Sequence, residues 1–242
     1  MLLIGGGVAA AAALTACAAR RPEDDVTPED LEAEAVPVPQ SPVTPETNSP
    51  GKPLPITAGD AQTETVRQAL EDVRGTEAGK RVLEAAEQLD VKIQVLGSAE
   101  YDARNGAGTL AVARSQWQAY PGKPERLNVQ TVVEVDGGSF TDGTRAERAS
   151  TLAHELQHAL DARDEKITSS RSEARAYTVG DQVQTALGER PGREAISRDD
   201  RTGDLLSMEQ IVQAVCADPT YADGYRASGT WQENCAGVAA TP

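Results

Sequence analysis

The two histidines of this chain, His154 and His158, lie four residues apart, and Glu155 lies between them. An α-helix returns to nearly the same face after four residues, so both imidazoles can reach one metal ion. Glu155 would then lie beside that ion, where its carboxylate can accept a proton from water. The spacing therefore predicts a metal site on a helix, with a general base next to it.

A catalytic zinc site has three protein ligands and one open position, and the chain has no other histidine to supply the third ligand. Glu173 lies near the start of the next predicted helix, and two antiparallel helices could place it against the histidine pair. Small residues follow on the same face at Ala176 and Gly180, where they would let the helices approach closely. In the alternative interpretation, Ser170 and Glu173 form a capping box, and Glu173 only closes the start of its helix. The acids that follow the motif are Asp161, Asp164, Glu165, Glu173 and Asp181.

From His154 to about Tyr177 the chain resembles the gluzincin group of zinc metallopeptidases. The resemblance implies that His154, His158 and Glu173 bind one zinc ion, and that Glu155 is the general base in peptide-bond hydrolysis. It also implies a zincin-like fold, in which a small β-sheet packs on the motif helix and a ligand-bearing helix follows.

The metzincin group offers a rival third ligand, because its ligand comes six residues after the second histidine, where this chain has Asp164. That group also requires a glycine three residues after the histidine, where this chain has Asp161, and no later Met-turn is evident. We therefore prefer Glu173 and keep Asp164 as the alternative.

Two further residues have a functional and a structural interpretation. Asp161 is one helical turn beyond His158, so it could accept the far N–H of a ligand imidazole or be a solvated acid on the helix surface. Tyr177 is one turn beyond Glu173, so it could hydrogen bond a developing oxyanion or simply pack between helices.

The N-terminal segment has the features of an export signal. An apolar run at 1–17, too short to span a bilayer, ends in Leu14-Thr15-Ala16-Cys17. This ending resembles the lipobox of bacterial lipoproteins, which implies that Cys17 is lipidated and anchors the chain to the extracytoplasmic face of a bacterial membrane. Residues 18–59 contain nine of the 14 prolines and no apolar periodicity, which predicts a disordered tether.

Residues 60–242 are long enough for one domain with its own core. The net charge of −15 argues against nucleic acid as a partner. In an exported chain, the two cysteines left after Cys17 predict a disulfide between Cys216 and Cys235.

Periodicity predicts an α+β fold for this domain. Asp136-Gly137-Gly138 is interpreted as a turn, and Thr144 with Glu147 as a capping box that opens the motif helix. Helices are predicted at 63–74, 76–89, 145–163, 170–187 and 207–215, and strands at 91–95, 109–113 and 127–135.

The sequence thus predicts a zinc metalloendopeptidase of the cell envelope, with a protein or peptide as its substrate and the lipid anchor as its only membrane contact. The alternative is a non-catalytic envelope lipoprotein that uses a zinc-binding domain to bind a partner. The presence of Glu155 favours the enzyme, because a pure binding module has no need of a general base.

Overall fold

A computed structural model of the chain describes residues 53–106, 109–119, 126–164, 167–193 and 195–236. Within these ranges the chain is α+β, as predicted, and most of its elements are helices. In chain order they are β1 (Ile56–Thr57), α1 (Asp60–Arg74), α2 (Glu77–Ala86), β2 (Val91–Leu96), α3 (Ser98–Asn105), β3 (Ala111–Ala119), β4 (Arg126–Asp136), α4 (Gly137–Asp142), α5 (Arg145–Asp161), α6 (Ser169–Ala186), α7 (Met208–Ala217), α8 (Pro219–Ala227) and α9 (Trp231–Cys235).

The described strands form one sheet in the order β1-β2-β4-β3. β1, β2 and β4 are parallel, with Val91 opposite Thr131 and Leu96 opposite Asp136. β3 runs antiparallel to β4 at the edge of the sheet, with Ala113 opposite Val133. Since side chains alternate along a strand, Ile93, Val133 and Val135 share one face of the sheet.

That face is buried in the main hydrophobic core, which also contains side chains of α1, α2 and α5. α5 contributes Leu152 and Leu156, which are completely buried, while α1 contributes Val66 and Val73. The helix that carries the histidines is therefore fixed by the core along one side.

The folded part of the chain begins before the predicted border at Asp60. Leu54 is only 4% exposed and belongs to the main core. Ile56 pairs with Ile93, and the Ile93 backbone N–H donates to the Pro55 carbonyl at 2.9 Å. The end of the predicted tether is thus part of the sheet, although its composition suggests disorder.

The motif 136–138 begins a short helix, α4, instead of a simple turn. The Asp136 side chain caps this helix by accepting a hydrogen bond from the Gly138 backbone N–H at 3.1 Å. Gly137 is needed for close packing, because a Cβ there would lie 2.4 Å from Gln62 Nε2 and 2.8 Å from Val95 Cγ1. The sequence also did not predict α3, α8 and α9.

A second group of buried side chains packs around the start of α6, and we call it the C-terminal cluster. The predicted disulfide between Cys216 and Cys235 is confirmed and joins α7 to α9 inside it. Its members are Ala174, Ile211, Val215, Cys216, Tyr221, Tyr225 and Cys235.

No helix in the described ranges is both long and apolar enough to cross a bilayer. The signal peptide, Cys17 and residues 18–52 of the predicted tether lie outside those ranges, so lipid anchoring stays a prediction.

Candidate metal centre

The histidine pair is presented by the capped and largely buried helix α5. Thr144 and Glu147 form the predicted capping box, with each side chain bonding the backbone N–H of the other residue. His154 and His158 point from the same face, with ring centroids 4.8 Å apart and Nε2 atoms 3.1 Å apart. Both side chains are buried, so their nitrogens converge away from bulk water.

Helix α6 brings Glu173 against this pair, as the preferred interpretation predicted. Glu173 Oε2 lies 3.7 Å from His154 Nε2 and 3.5 Å from His158 Nε2. Gly180 lets the two helices approach, because a Cβ there would lie 3.0 Å from Ser150 Oγ.

The three donor atoms fit a metal ion. They form a nearly equilateral triangle, and the point equidistant from its corners is about 2.0 Å from each, close to the length of zinc–nitrogen and zinc–oxygen bonds. All three residues are buried, and together they could hold one metal ion.

Two alternatives were open for the third ligand: a capping role for Glu173, and Asp164 as the ligand in its place. Neither fits this geometry. The N-cap of α6 is Thr168, whose hydroxyl accepts a hydrogen bond from the Arg171 backbone N–H, so Ser170 and Glu173 do not form a capping box. Asp164 lies exposed beyond the end of α5 and is not part of the group around the histidines.

In this group a positive charge on His158 balances the negative charge of Glu173. Burial lowers the pKa of His158, but the Glu173 carboxylate outweighs burial and raises it to about 9. Burial raises the pKa of Glu173, but His158 outweighs burial and holds it below its ordinary value. Burial and the neighbouring His158 lower the pKa of His154 to about 3. The buried carboxylate therefore requires a positive charge between the imidazoles, which a proton or a metal ion can supply.

Glu155 lies one helical turn before His158 on α5, close enough to interact with the charges of His158 and Glu173, and it contacts the edge strand β3. It is only 2% exposed, and its Oε2 atom has no hydrogen-bond partner among the described residues. Burial raises the pKa of Glu155 to about 7, even though nearby His158 and the Ala113 backbone N–H of β3 favour the charged form. A buried acceptor without a partner is rare in proteins and is suited to receiving a proton from a bound molecule.

Ser172, rather than Asp161, contacts the outer nitrogen of a histidine. His158 Nδ1 lies 2.8 Å from Ser172 Oγ, so with Nε2 facing the ligand group, Nδ1 carries the hydrogen and donates to the serine. Asp161 is buried and not solvated. It accepts a hydrogen bond from Gln157 Nε2 at 2.8 Å and forms an ion pair with Arg175 at 3.1 Å. Neither interpretation of Asp161 from the sequence describes this arrangement.

Two tyrosines complete the site, and the sequence predicted only one of them. The Tyr177 ring packs edge-on against His154 at 4.9 Å between centroids, and its hydroxyl lies 2.8 Å from that of Tyr221. Tyr221 from α8 donates to Glu173 Oε2 at 3.2 Å. Each phenol has only one hydroxyl hydrogen. Because Tyr221 gives its hydrogen to Glu173, Tyr177 must donate to Tyr221, so the Tyr177 hydrogen is not directed at a substrate oxyanion.

Comparisons of the chain with models of protein families, with curated proteins and with solved structures found no match. The assignment of function therefore rests on the residues and geometry of the site.

Proposed function

We propose that this protein is a zinc-dependent metalloendopeptidase with Glu155 as its general base. The observation that carries the proposal is the convergence of His154 Nε2, His158 Nε2 and Glu173 Oε2 on one buried point. Glu155 interacts with the charges of His158 and Glu173, and its own Oε2 has no hydrogen-bond partner among the described residues. The zincin-like description of the fold belongs to the same proposal. It is supported by a sheet packed on α5 and by the ligand on the following helix α6.

The donor set supports zinc as the metal. Two imidazole nitrogens and one carboxylate oxygen are a common ligand set of catalytic zinc, and three protein ligands leave one position open. When bound, zinc would act as a Lewis acid toward water and toward the scissile carbonyl group.

The role of Glu155 is to accept a proton from the attacking water at Oε2 and to pass it to the leaving amine. Its buried, unpartnered oxygen supports catalysis over the alternative of a non-catalytic binding module. A site that only holds a metal gains nothing from leaving a carboxylate oxygen without a hydrogen bond, which costs free energy.

The edge strand β3 supports a peptide as the substrate. Among the described strands it pairs only with β4, and it packs against α5. Such an edge can bind an extended peptide through backbone hydrogen bonds. Because the Ala113 backbone N–H contacts Glu155, a peptide along this edge would lie beside the general base.

The test separates the metal ligands from the base. Metal content of purified variants is measured after exposure to zinc, and cleavage is measured with a library of unstructured peptides. His154→Ala, His158→Ala and Glu173→Ala should each bind little zinc. Glu155→Gln should keep about one zinc ion per chain and lose roughly 10²- to 10⁴-fold in rate.

Asp164→Ala is the matched control, because it removes an acid of the same region that lies exposed outside the ligand group. It should change neither zinc content nor cleavage. Loss of zinc from this variant, with zinc retained by Glu173→Ala, would establish the metzincin-like ligand set instead. Cleavage by Glu155→Gln at the wild-type rate would refute the mechanism, and zinc binding without any cleavage would support the binding module.

A further inference from the structure

Tyr221 connects the C-terminal cluster to the candidate metal centre. It is only 2% exposed, and its hydroxyl donates to Glu173 Oε2 at 3.2 Å. This is the same oxygen that lies within 3.7 Å of both histidine Nε2 atoms. Tyr221 on α8 therefore holds the Glu173 oxygen that would bind the metal.

The hydrogen bonds have a defined direction. Tyr221 gives its one hydrogen to Glu173, so the hydroxyl of Tyr177, 2.8 Å away, must donate to Tyr221. Burial raises the pKa of both tyrosines above the ordinary value, which keeps both phenols protonated. Glu173 thus receives a hydrogen bond from a neutral donor, which fixes the carboxylate without cancelling its negative charge.

The segment that carries Tyr221 is held firmly to the start of α6. The disulfide between Cys216 and Cys235 closes the chain around α8. Next to it, Asn234 Oδ1 accepts from the Ser170 backbone N–H at 3.1 Å, and Ser170 Oγ donates to the Asn234 carbonyl at 2.6 Å. Ser170 lies in the first turn of α6, so this segment supports the same stretch of helix that presents Glu173.

We propose that Tyr221 is a positioning residue that orients the Glu173 carboxylate and thereby sets the affinity of the site for its metal ion. This inference rests on the proposed function, because it requires that Glu173 is a ligand. Without the hydroxyl, the carboxylate could rotate away from the imidazoles, and metal binding would then have to order it. Residues that orient metal ligands typically contribute about 10- to 100-fold to metal affinity.

The test is Tyr221→Phe, which removes the hydroxyl and keeps the ring in the C-terminal cluster. Zinc affinity is measured by competition with a chromophoric chelator, and the protein should bind zinc about 10- to 100-fold more weakly than wild type. Tyr225→Phe is the matched control. It removes a hydroxyl from the same helix, at a ring packed against Tyr221 with 6.4 Å between centroids, and it should keep the wild-type affinity.

A spectroscopic measurement separates positioning from general loss of structure. In protein saturated with Co²⁺, the visible absorption band reports the ligand geometry, so it should shift in Tyr221→Phe and not in Tyr225→Phe. Tyr177→Phe tests the same chain of hydrogen bonds from its other end, and it should weaken zinc binding less than Tyr221→Phe. This variant also serves as the test if Tyr221→Phe does not fold, and an unchanged affinity would then refute the inference.

The failure of this inference can be told apart from failure of the proposed function. If Glu173→Ala loses zinc while Tyr221→Phe keeps the wild-type affinity and Co²⁺ spectrum, the positioning role is refuted and the metal site stands. If the wild-type protein binds neither zinc nor Co²⁺, or if Glu173→Ala keeps full zinc affinity, then the ligand assignment fails and this inference fails with it.

Discussion

Leu54→Ala should destabilise the protein, although Leu54 lies in a segment whose composition suggests a disordered tether. The side chain is 4% exposed and packs in the main core. Replacing a buried leucine by alanine typically costs about 2–5 kcal/mol, depending on how much of the resulting space stays empty.

The position of Leu54 in the fold favours the lower half of that range. Leu54 also lines a partly open groove, together with Ile56, Leu70 and Leu83. The space left by the truncated side chain would join this groove, where water can enter, so the cost of an empty cavity is reduced. We expect a loss of about 2–3 kcal/mol in the free energy of unfolding. In a domain of this size this corresponds to a melting temperature lower by about 4–12 °C.

The assay is urea unfolding followed by circular dichroism, with a chelator present so that metal binding does not contribute to stability. Leu205→Ala is the matched control, since it makes the same substitution at a leucine that is 38% exposed. It should change stability by less than about 0.5 kcal/mol. A chain that begins at Pro53 should be as stable as one that begins at Ala18. If Leu54→Ala is as harmless as Leu205→Ala, then 53–57 does not pack as described, and the domain begins near Asp60.

Two further predictions concern the stability of the fold rather than metal binding. Burial raises the pKa of Asp136, but hydrogen bonds from Ser139, Ser98 and the Gly138 backbone outweigh burial and hold it below its ordinary value. Its ionised form therefore stabilises the protein above the unfolded-state pKa of about 3.9, and this contribution is lost as the pH falls through the lower folded-state value. Urea unfolding should accordingly show a difference between wild type and Asp136→Asn that is full near pH 6 and shrinks below about pH 4, and a difference independent of pH would contradict this. Replacing both Cys216 and Cys235 by serine should cost about 3 kcal/mol in the same assay, because their disulfide closes a loop of about 20 residues in the unfolded chain. Equal stability of this variant and the wild type would show that the disulfide does not constrain the unfolded state.

The sequence was sufficient to predict α5 and the convergence of its two histidines, because the necessary information is local. Thr144 and Glu147 cap the helix from three residues apart, and the two histidines need only the helical repeat to converge. Glu173 was also within reach of prediction, since a short connection between two helices leaves few ways to pair them. Ser172 lies directly before Glu173, and a hydroxyl at that place could have been proposed as a partner of the histidine.

Contacts between distant parts of the chain were not predictable in this way. Tyr221 lies 48 residues after Glu173. Its approach depends on how α7, α8 and α9 pack, and no local pattern reports that packing. β1 has only two residues, and it is ordered because Ile56 pairs with β2 and Leu54 enters the core. The proline-rich composition of 18–59 predicts little local structure, but Leu54 and Ile56 at the end of this segment are held by tertiary contacts with the core and with β2.

The position of the candidate metal centre between two hydrophobic groups makes these long-range contacts important. α6 contributes Val183 to the main core and Ala174 to the C-terminal cluster, so it is shared by the two hydrophobic groups. The histidines come from a helix fixed in the first group, whereas Glu173 is hydrogen bonded to Tyr221 from the second. A metal ion bound by His154, His158 and Glu173 would join the two hydrophobic groups. Because the ion would bind only the folded state, it would stabilise the packing of these groups against each other. In the proposed enzyme the geometry of the site would thus depend on the C-terminal cluster as much as on the His-Glu-x-x-His helix.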